Sequence, residues 1–464
     1  MADTEDNGAE SDAIVGGASP LSIVVIVADA LRRDAVFGDE PAMPKLAARF
    51  GAWNVMSQYF SAAPWTLPAC TSLLTGTDSR RHLHFAHDHS LTEPTLTKCF
   101  GPERVKAAFV NNRALARSSG LFDEFDEYEL ILDHDETLAR AHTFLDARAG
   151  DGQSFFLIVH SNLVHDYYLA STRARYESAF PDRNDWFELG NRVIRWNGLT
   201  GAQCDTARRI YTACANALDE QIDGLVGRLD PNALVCFLAD HGEGLAPELA
   251  RVHHGGRLHD DLLRVPCAFR LPAGVAPSVA SAMQHARNAP VTTADIIPTL
   301  LDIAHCEIPG SVADRSLVAR AESPTPRPLS SEDRRYLCLR NRHRLNVNTR
   351  GKNMSALARW RNTMFRATLA HDFRVRCEIQ YPYKLTATDF VGRNATIMRV
   401  GGRLLRTAHN GDPFVVTSGR NWRALELVDL EADPTERRNL LNEPQSYPPE
   451  IRVWVDSWSD ARTS

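Results

Sequence analysis

The residues best equipped for chemistry lie far apart in the chain but share one kind of setting. Thr66 sits inside Ser61–Gly76 (SAAPWTLPACTSLLTG), where small residues and Pro64-Trp65 give way to an apolar run ending in Gly76. That pattern reads as a loop feeding a helix. A side chain at such a start meets the positive end of the helix dipole and unpaired backbone N–H groups, so an anion or an alkoxide is favoured there. Thr-x-Pro also serves as an ordinary turn or helix cap. Further polar residues follow apolar runs directly: Asp29, Asn111, His160, Asp240 and His241, with His165 a short way beyond His160. Aspartates and histidines are ligands for divalent cations and carriers of protons. Singly, each reads as a turn, a cap or a satisfied surface or core residue. In register with strand ends, they point to a metal-assisted site.

The elements that must position them alternate in type. Ile23–Ala28 (IVVIVA) is β-branched and apolar on both faces, as a central parallel strand requires, and it ends at Asp29. Pro44–Phe50 reads as a short helix. Ala107–Val110 is a short apolar run ending at Asn111-Asn112, and Phe155–Val159 (FFLIV) ends at His160. Ala233–Leu238 (ALVCFL) runs into Asp240-His241-Gly242-Glu243, and Val265–Leu271 supplies one more strand. Between them, Glu136–Ala149 has helical spacing and Ala207–Leu229 is a long amphipathic helix. Alternating strands and helices predict an α/β fold: a large mixed, mostly parallel sheet sandwiched by helices. Ligands bind at the carboxyl ends of such strands, so the polar residues are expected to converge on one sheet edge.

Three divisions are expected. Residues 1–19 are acidic and polar and read as a disordered tail; residues 20–330 form the catalytic α/β domain; residues 331–464 form a smaller α+β subdomain. Glu322–Arg334, rich in proline, serine and charge, is the linker candidate. Beyond it long apolar runs become scarce, and Thr396–Leu405 is interrupted by charge and glycine. A small antiparallel sheet with a closing helix near Glu450–Trp458 is expected there. The 464 residues are 44% hydrophobic and 24% charged, an ordinary globular composition. Lys and Arg number 52 against 58 Asp and Glu, a net charge of −6, which gives no reason to expect nucleic acid as a partner. Nine scattered cysteines without a CxxC pair argue against a zinc ribbon or a disulfide framework. No basic, apolar leader and no membrane-span-length apolar run is present, so a cytoplasmic location is expected. Oligomeric state is not legible.

Along nearly its whole length the chain resembles the sulfatase-like branch of the alkaline phosphatase superfamily. Ile23–Asp34 (IVVIVADALRRD) is similar to the family's opening strand and metal aspartate, and WTLPACTSLLTG to its nucleophile stretch. Ala107–Tyr128 is similar to the segment that follows. FFLIVHSNLVHDYY matches the strand with two spaced histidines, and FLADHGEGL the second metal motif. His254–Pro266, Thr293–Leu301 and Leu425–Leu441 resemble later landmarks, all in the family's order. The resemblance implies Asp29, Asp240 and His241 as metal ligands, with Thr66 both as nucleophile and as completion of the ligand set. It implies His165 and His254 as residues that hold the substrate anion or protonate the leaving group. Asn111 and His160 match substrate-side positions. Three departures stand out. Sulfatases carry Cys or Ser at the nucleophile and convert it to formylglycine; Thr66 already bears a methyl on its β-carbon and cannot yield that aldehyde. Cys70 stands where the family has arginine, and Ala30 where a second carboxylate often follows the first.

An ester of phosphate or sulfate resists attack because nucleophile and electrophile are both negative. A divalent cation offsets that charge and lowers the pKa of the attacking hydroxyl. The ligand set suits one Mn²⁺, Zn²⁺, Ca²⁺ or Mg²⁺ ion. The reading is a hydrolase or transferase acting on small anionic phosphate or phosphonate esters through Thr66. A sulfuric ester hydrolase or sulfuryl transferase working without formylglycine is the second reading. A catalytically silent binding protein that kept the fold is the third.

Overall fold

The computed structural model describes residues 20–85, 90–149, 151–169, 172, 201–246, 251–255, 258–322, 329–335, 373–390, 414–418 and 421–460. The N-terminal tail and Thr396–Leu405 lie outside the described residues.

The strands, in chain order, are β1 (Ile23–Ala28), β2 (Asn54–Val55), β3 (Gln58–Phe60), β4 (Val105–Val110), β5 (Glu127–Leu130) and β6 (Phe155–Ser161). They continue as β7 (Leu234–Ala239), β8 (Gly244–Ala246), β9 (Arg251–His253), β10 (Cys267–Arg270) and β11 (Pro290–Thr292). The C-terminal part holds β12 (Leu329–Arg335), β13 (Phe373–Gln380), β14 (Tyr383–Phe390), β15 (Phe414–Ser418) and β16 (Asn421–Asp429).

The large sheet has the order β2-β10-β7-β1-β6-β4-β5. Its central strands β7, β1, β6, β4 and β5 are parallel, while β10 is antiparallel to both β7 and β2. The whole of β1 and the whole of β7 are buried, which is why both read as uninterrupted apolar runs. In register, Ala28 lies opposite Ser161 on β6 and Ala239 on β7, and Val110 on β4 lies opposite His160. Asp29, Asn111 and Asp240 therefore leave the sheet at one edge, as the alternation predicts. The strand read as Phe155–Val159 runs two residues further, so His160 is a strand residue rather than a strand terminator.

Helices cover the sheet. Thr66–Thr75 is buried at every position and ends at Gly76, whose φ of 65° is the left-handed cap that a β-carbon would strain. His134–Arg148 starts at Asp133, whose carboxylate accepts from the N–H groups of Asp135 and Glu136. Gly201–Gly227 is the long amphipathic helix, and it begins earlier than its apolar spacing suggests.

The small sheet, β12-β13-β14-β16-β15, is antiparallel throughout. The segment Glu322–Arg334, read as a linker, is structured at both described ends: Glu322 closes a helix, and Leu329–Arg335 is the edge strand β12. Its polar composition fits an edge strand, which needs charge more than apolar surface. Two apolar clusters hold this part in place. Leu385, Leu425, Leu427, Leu441, Tyr447 and Ile451 pack between the sheet and the helix Pro449–Asp460. Phe60, Leu258 and Leu263 of the large domain pack with Leu329, Cys377, Ile379 and Val428 of the small one.

Candidate active site

Thr66 is the first residue of its helix; Trp65 before it is extended, with φ −164° and ψ 162°. Pro68 falls in the first turn, where its missing N–H costs nothing. Thr66 is only 3% exposed, and its hydroxyl donates to Asp29 Oδ2 at 3.1 Å. His241 Nε2 is 3.4 Å from the same oxygen, and Asn112 Nδ2 donates to it at 3.2 Å.

Asp29 is aimed by the turn after β1. Its N–H donates to Ser161 C=O, and Ala30 adopts φ 59°, a left-handed conformation. That turn is held because Ala30 N–H donates to Asp240 Oδ1 at 3.3 Å and Tyr211 OH donates to Ala30 C=O at 2.8 Å. The absent carboxylate at position 30 is thus a backbone position locked to the second aspartate. Asp240 and His241 leave β7 in a tight loop. Gly242 is required there, since a β-carbon would come within 2.1 Å of Asp261 C=O.

One ligand atom from each of Asp29, Asp240 and His241 lies within 4.8 Å of the others. His241 Nε2 is 3.2 Å from Asp29 Oδ1 and 3.7 Å from Asp240 Oδ2. Both carboxylates are wholly buried, and Asp29 Oδ1 and Asp240 Oδ2 have no hydrogen-bond partner. Burial and the negative charge of Asp29 push Asp240 up to about 7. Burial pushes Asp29 up as well, but His165, His241 and His160 outweigh it and hold its carboxyl well below the usual range. Two adjacent carboxylates with orphaned buried oxygens and one imidazole fit a divalent cation.

The remaining expected residues divide. His165 is partly exposed, and its Nδ1 lies 2.8 Å from Asp166 Oδ1. Burial works against its charge, yet Asp29, Asp166 and Glu243 prevail and push it up to about 9. His254 Nδ1 donates to Glu243 Oε2 at 2.7 Å, and burial and His253 keep the ring neutral. The His254 ring lies 4.8 Å from that of His165 and 4.6 Å from that of His241. His160 is buried beneath the site, 3.5 Å from Asp29 Oδ2, with both ring nitrogens lacking hydrogen-bond partners. Cys70, in the arginine position, groups with His160 and Asp240 within 4.8 Å.

Asn111 is not brought to the site. Its amide donates to Ile131 C=O, and its oxygen pairs with His134 Nδ1 at 2.7 Å. The residue at the site is Asn112, whose Nδ2 reaches Asp29 Oδ2 at 2.6 Å and Asn162 Oδ1 at 2.9 Å. Successive side chains leaving a strand point to opposite sides, so of two adjacent asparagines only one can face the nucleophile. Asn112, Asn162, Asp166 and Glu243 are the site residues that sequence reasoning missed. The one available signal was their position within two or three residues of those it found.

This strand-edge cluster around a helix-start hydroxyl is carried by an alkaline phosphatase/sulfatase-like fold. The chain belongs to the sulfatase family, whose model matches residues 22–306. An ulvan-active sulfatase from Formosa agariphila is 25% identical over 193 residues, which are 40% of this chain and 35% of that protein. The chain thus matches about a third of that relative's length. Among solved structures, a phosphonate monoester hydrolase from Silicibacter pomeroyi superposes with TM-score 0.62 at 17% identity, covering 94% of each chain. A 2-O GAG sulfatase superposes with TM-score 0.60 at 15% identity, over 95% of this chain and 92% of that one. At those identities the superpositions establish the fold.

Proposed function

We propose that the chain is a metal-dependent hydrolase or transferase of small phosphate or phosphonate esters, with Thr66 as the nucleophile. The observation that carries the reading is the setting of an unmodified hydroxyl: Thr66 Oγ1 at a helix start, in reach of Asp29, His241 and Asn112. Asp29, Asp240 and His241 would hold a divalent cation, with Thr66 beside them. When bound, the cation supplies the positive charge that offsets repulsion between ester and nucleophile and eases ionisation of a hydroxyl.

Thr66 Oγ1 attacks phosphorus, and its proton leaves by way of the Asp29 carboxylate to which the hydroxyl already donates. The Oγ–P bond forms as the bond to the leaving oxygen breaks. Asn112 holds Thr66 and Asp29 in one orientation, and Asn162 fixes Asn112. His165, protonated at neutral pH, gives the proton from Nε2 to the departing oxygen, since Nδ1 faces Asp166. Water, or an acceptor hydroxyl, then attacks phosphorus and gives a proton to His165, while the proton held by Asp29 returns to Thr66 Oγ1 as the Oγ–P bond breaks. This frees Thr66 with phosphate or the transferred ester.

The second reading, sulfuryl ester cleavage through the same hydroxyl, is favoured by the family match and by the ulvan-active relative. A panel of aryl phosphate, phosphodiester, phosphonate and sulfate esters separates the two. Peptide mass analysis during turnover should show about 80 Da added to the Thr66 peptide, for a phosphoryl or a sulfuryl group alike, so the ester panel makes the distinction. Turnover of sulfate esters alone would overturn the phosphoryl reading. Turnover of none, with metal bound, would leave the silent binding protein.

A further inference from the structure

A second ligand group stands beside the first. Glu243 lies three residues after Asp240, immediately before β8, and His253 ends β9. The hairpin pairs Gly244 with His253, which returns the chain to Glu243 and places His254 next to it. One ligand atom from each of Glu243, His253 and His254 lies within 4.8 Å of the others. Both histidines turn Nδ1 toward the carboxylate: His254 at 2.7 Å from Oε2 and His253 at 3.6 Å from Oε1. In a tetrahedral zinc site with bonds of about 2.0–2.1 Å, neighbouring ligand atoms are about 3.3–3.4 Å apart, between those two values.

Two further observations support a built site. The Glu243 side chain is 0% exposed, and its carboxylate also accepts from Tyr167 OH at 3.2 Å, an orienting contact of the kind that fixes metal ligands. His253 adopts φ 66°, a conformation disfavoured for any residue with a β-carbon. The hairpin keeps that conformation at the residue whose ring faces the carboxylate.

We propose that Glu243, His253 and His254 form a second divalent-metal site, selective for Zn²⁺ or Co²⁺ over Mg²⁺ and Ca²⁺. Two imidazoles and one carboxylate suit a borderline-soft cation and leave a fourth position open. The Asp29–Asp240–His241 group is richer in oxygen and accepts harder ions. The sites are neighbours, because the His254 and His241 rings are 4.6 Å apart. A cation here takes the place of the proton between His254 Nδ1 and Glu243, which the neutral ring can carry on Nε2 instead. It adds positive charge beside the Asp29–Asp240–His241 group. Two cations suit a dianionic phosphate monoester better than a singly charged phosphonate monoester or sulfate ester. The substrate inference rests on the proposed Thr66 reading; the metal inference does not.

The experiment is zinc stoichiometry on the full chain. Chelator-treated protein is loaded with excess Zn²⁺ at pH 7.5, desalted, and measured by elemental analysis, with Co²⁺ visible absorption as a second readout. Two equivalents are expected, against one in Mg²⁺-only buffer. His253→Ala and Glu243→Gln should each retain one equivalent and lose one of two Co²⁺ absorption components. Asp240→Asn should lose the other equivalent. His253 is partly exposed, so His253→Ala reports even where loss of the buried Glu243 carboxylate disturbs folding. One equivalent in the parent chain, or two in His253→Ala, overturns the proposal. If one equivalent accompanies a trapped phosphoryl on Thr66, the second site fails while the proposed function stands.

Discussion

Replacing Thr66 by alanine separates catalysis from stability most sharply. The side chain is buried and its hydroxyl donates to a buried carboxylate at 3.1 Å, so the substitution is not silent for the fold. A hydrogen bond to a charged group contributes about 1.5–3 kcal/mol. Asn112 Nδ2 still donates to Asp29 at 2.6 Å, which retains part of that stabilisation. A net loss of about 1–2 kcal/mol follows, which leaves a folded protein. Catalysis should fall far more. Removing an acting nucleophile costs up to about 10⁶ in kcat in other covalent enzymes, equivalent to about 8 kcal/mol in the barrier. The assay pairs kcat/KM on the best aryl ester with metal content and an unfolding midpoint. Three other ligands remain, so metal should persist while turnover drops by at least about four orders of magnitude. Thr66→Ser should recover part of the activity, because the hydroxyl returns without the methyl that fixes its rotamer. If Thr66→Ala turns over substrate like the parent chain, the nucleophile is a water and the reasoning is refuted.

Asp240→Asn should lower metal content and activity together, since it removes one of two adjacent buried carboxylates; unchanged occupancy under limiting metal would count against its role. Asp166→Asn should move the alkaline limb of kcat/KM to lower pH. The Asp166 carboxylate helps hold His165 up to about 9, and without it the acid loses its proton sooner; an unmoved limb would exclude His165 as the acid. Lys384→Ala should destabilise the chain by about 3–5 kcal/mol, because it removes the buried cation that faces the buried Glu436 carboxylate. Lys384 Nζ also donates to Leu258 C=O at 2.8 Å, and Glu436 accepts from Asp260 N–H. Chemical denaturation checks this, and a change below about 1 kcal/mol would mean the pair does not fasten the small sheet to the large domain.

The central strands were legible because a strand buried on both faces must be apolar at every position, and β1 and β7 are. The edge strand β12 was not, because its run of serines and charges reads equally well as a linker. Asp29, Asp240 and His241 were legible as residues following apolar runs, since parallel strands deliver their carboxyl ends to one edge. Thr66 could be singled out only through the resemblance, because a helix-start threonine is common.

Sequence could not choose between Asn111 and Asn112. Both follow the same strand, and only the packing of Asn111 against Ile131 and His134 leaves Asn112 facing Thr66. Nor could it pair Glu243 with His253 and His254, because a hairpin register, not spacing, brings them together. The chain by itself determined which residues are able to do chemistry and which sheet edge receives them. Tertiary structure decided which of them share a charge, since burial and distances of a few ångströms set hydrogen bonds and protonation.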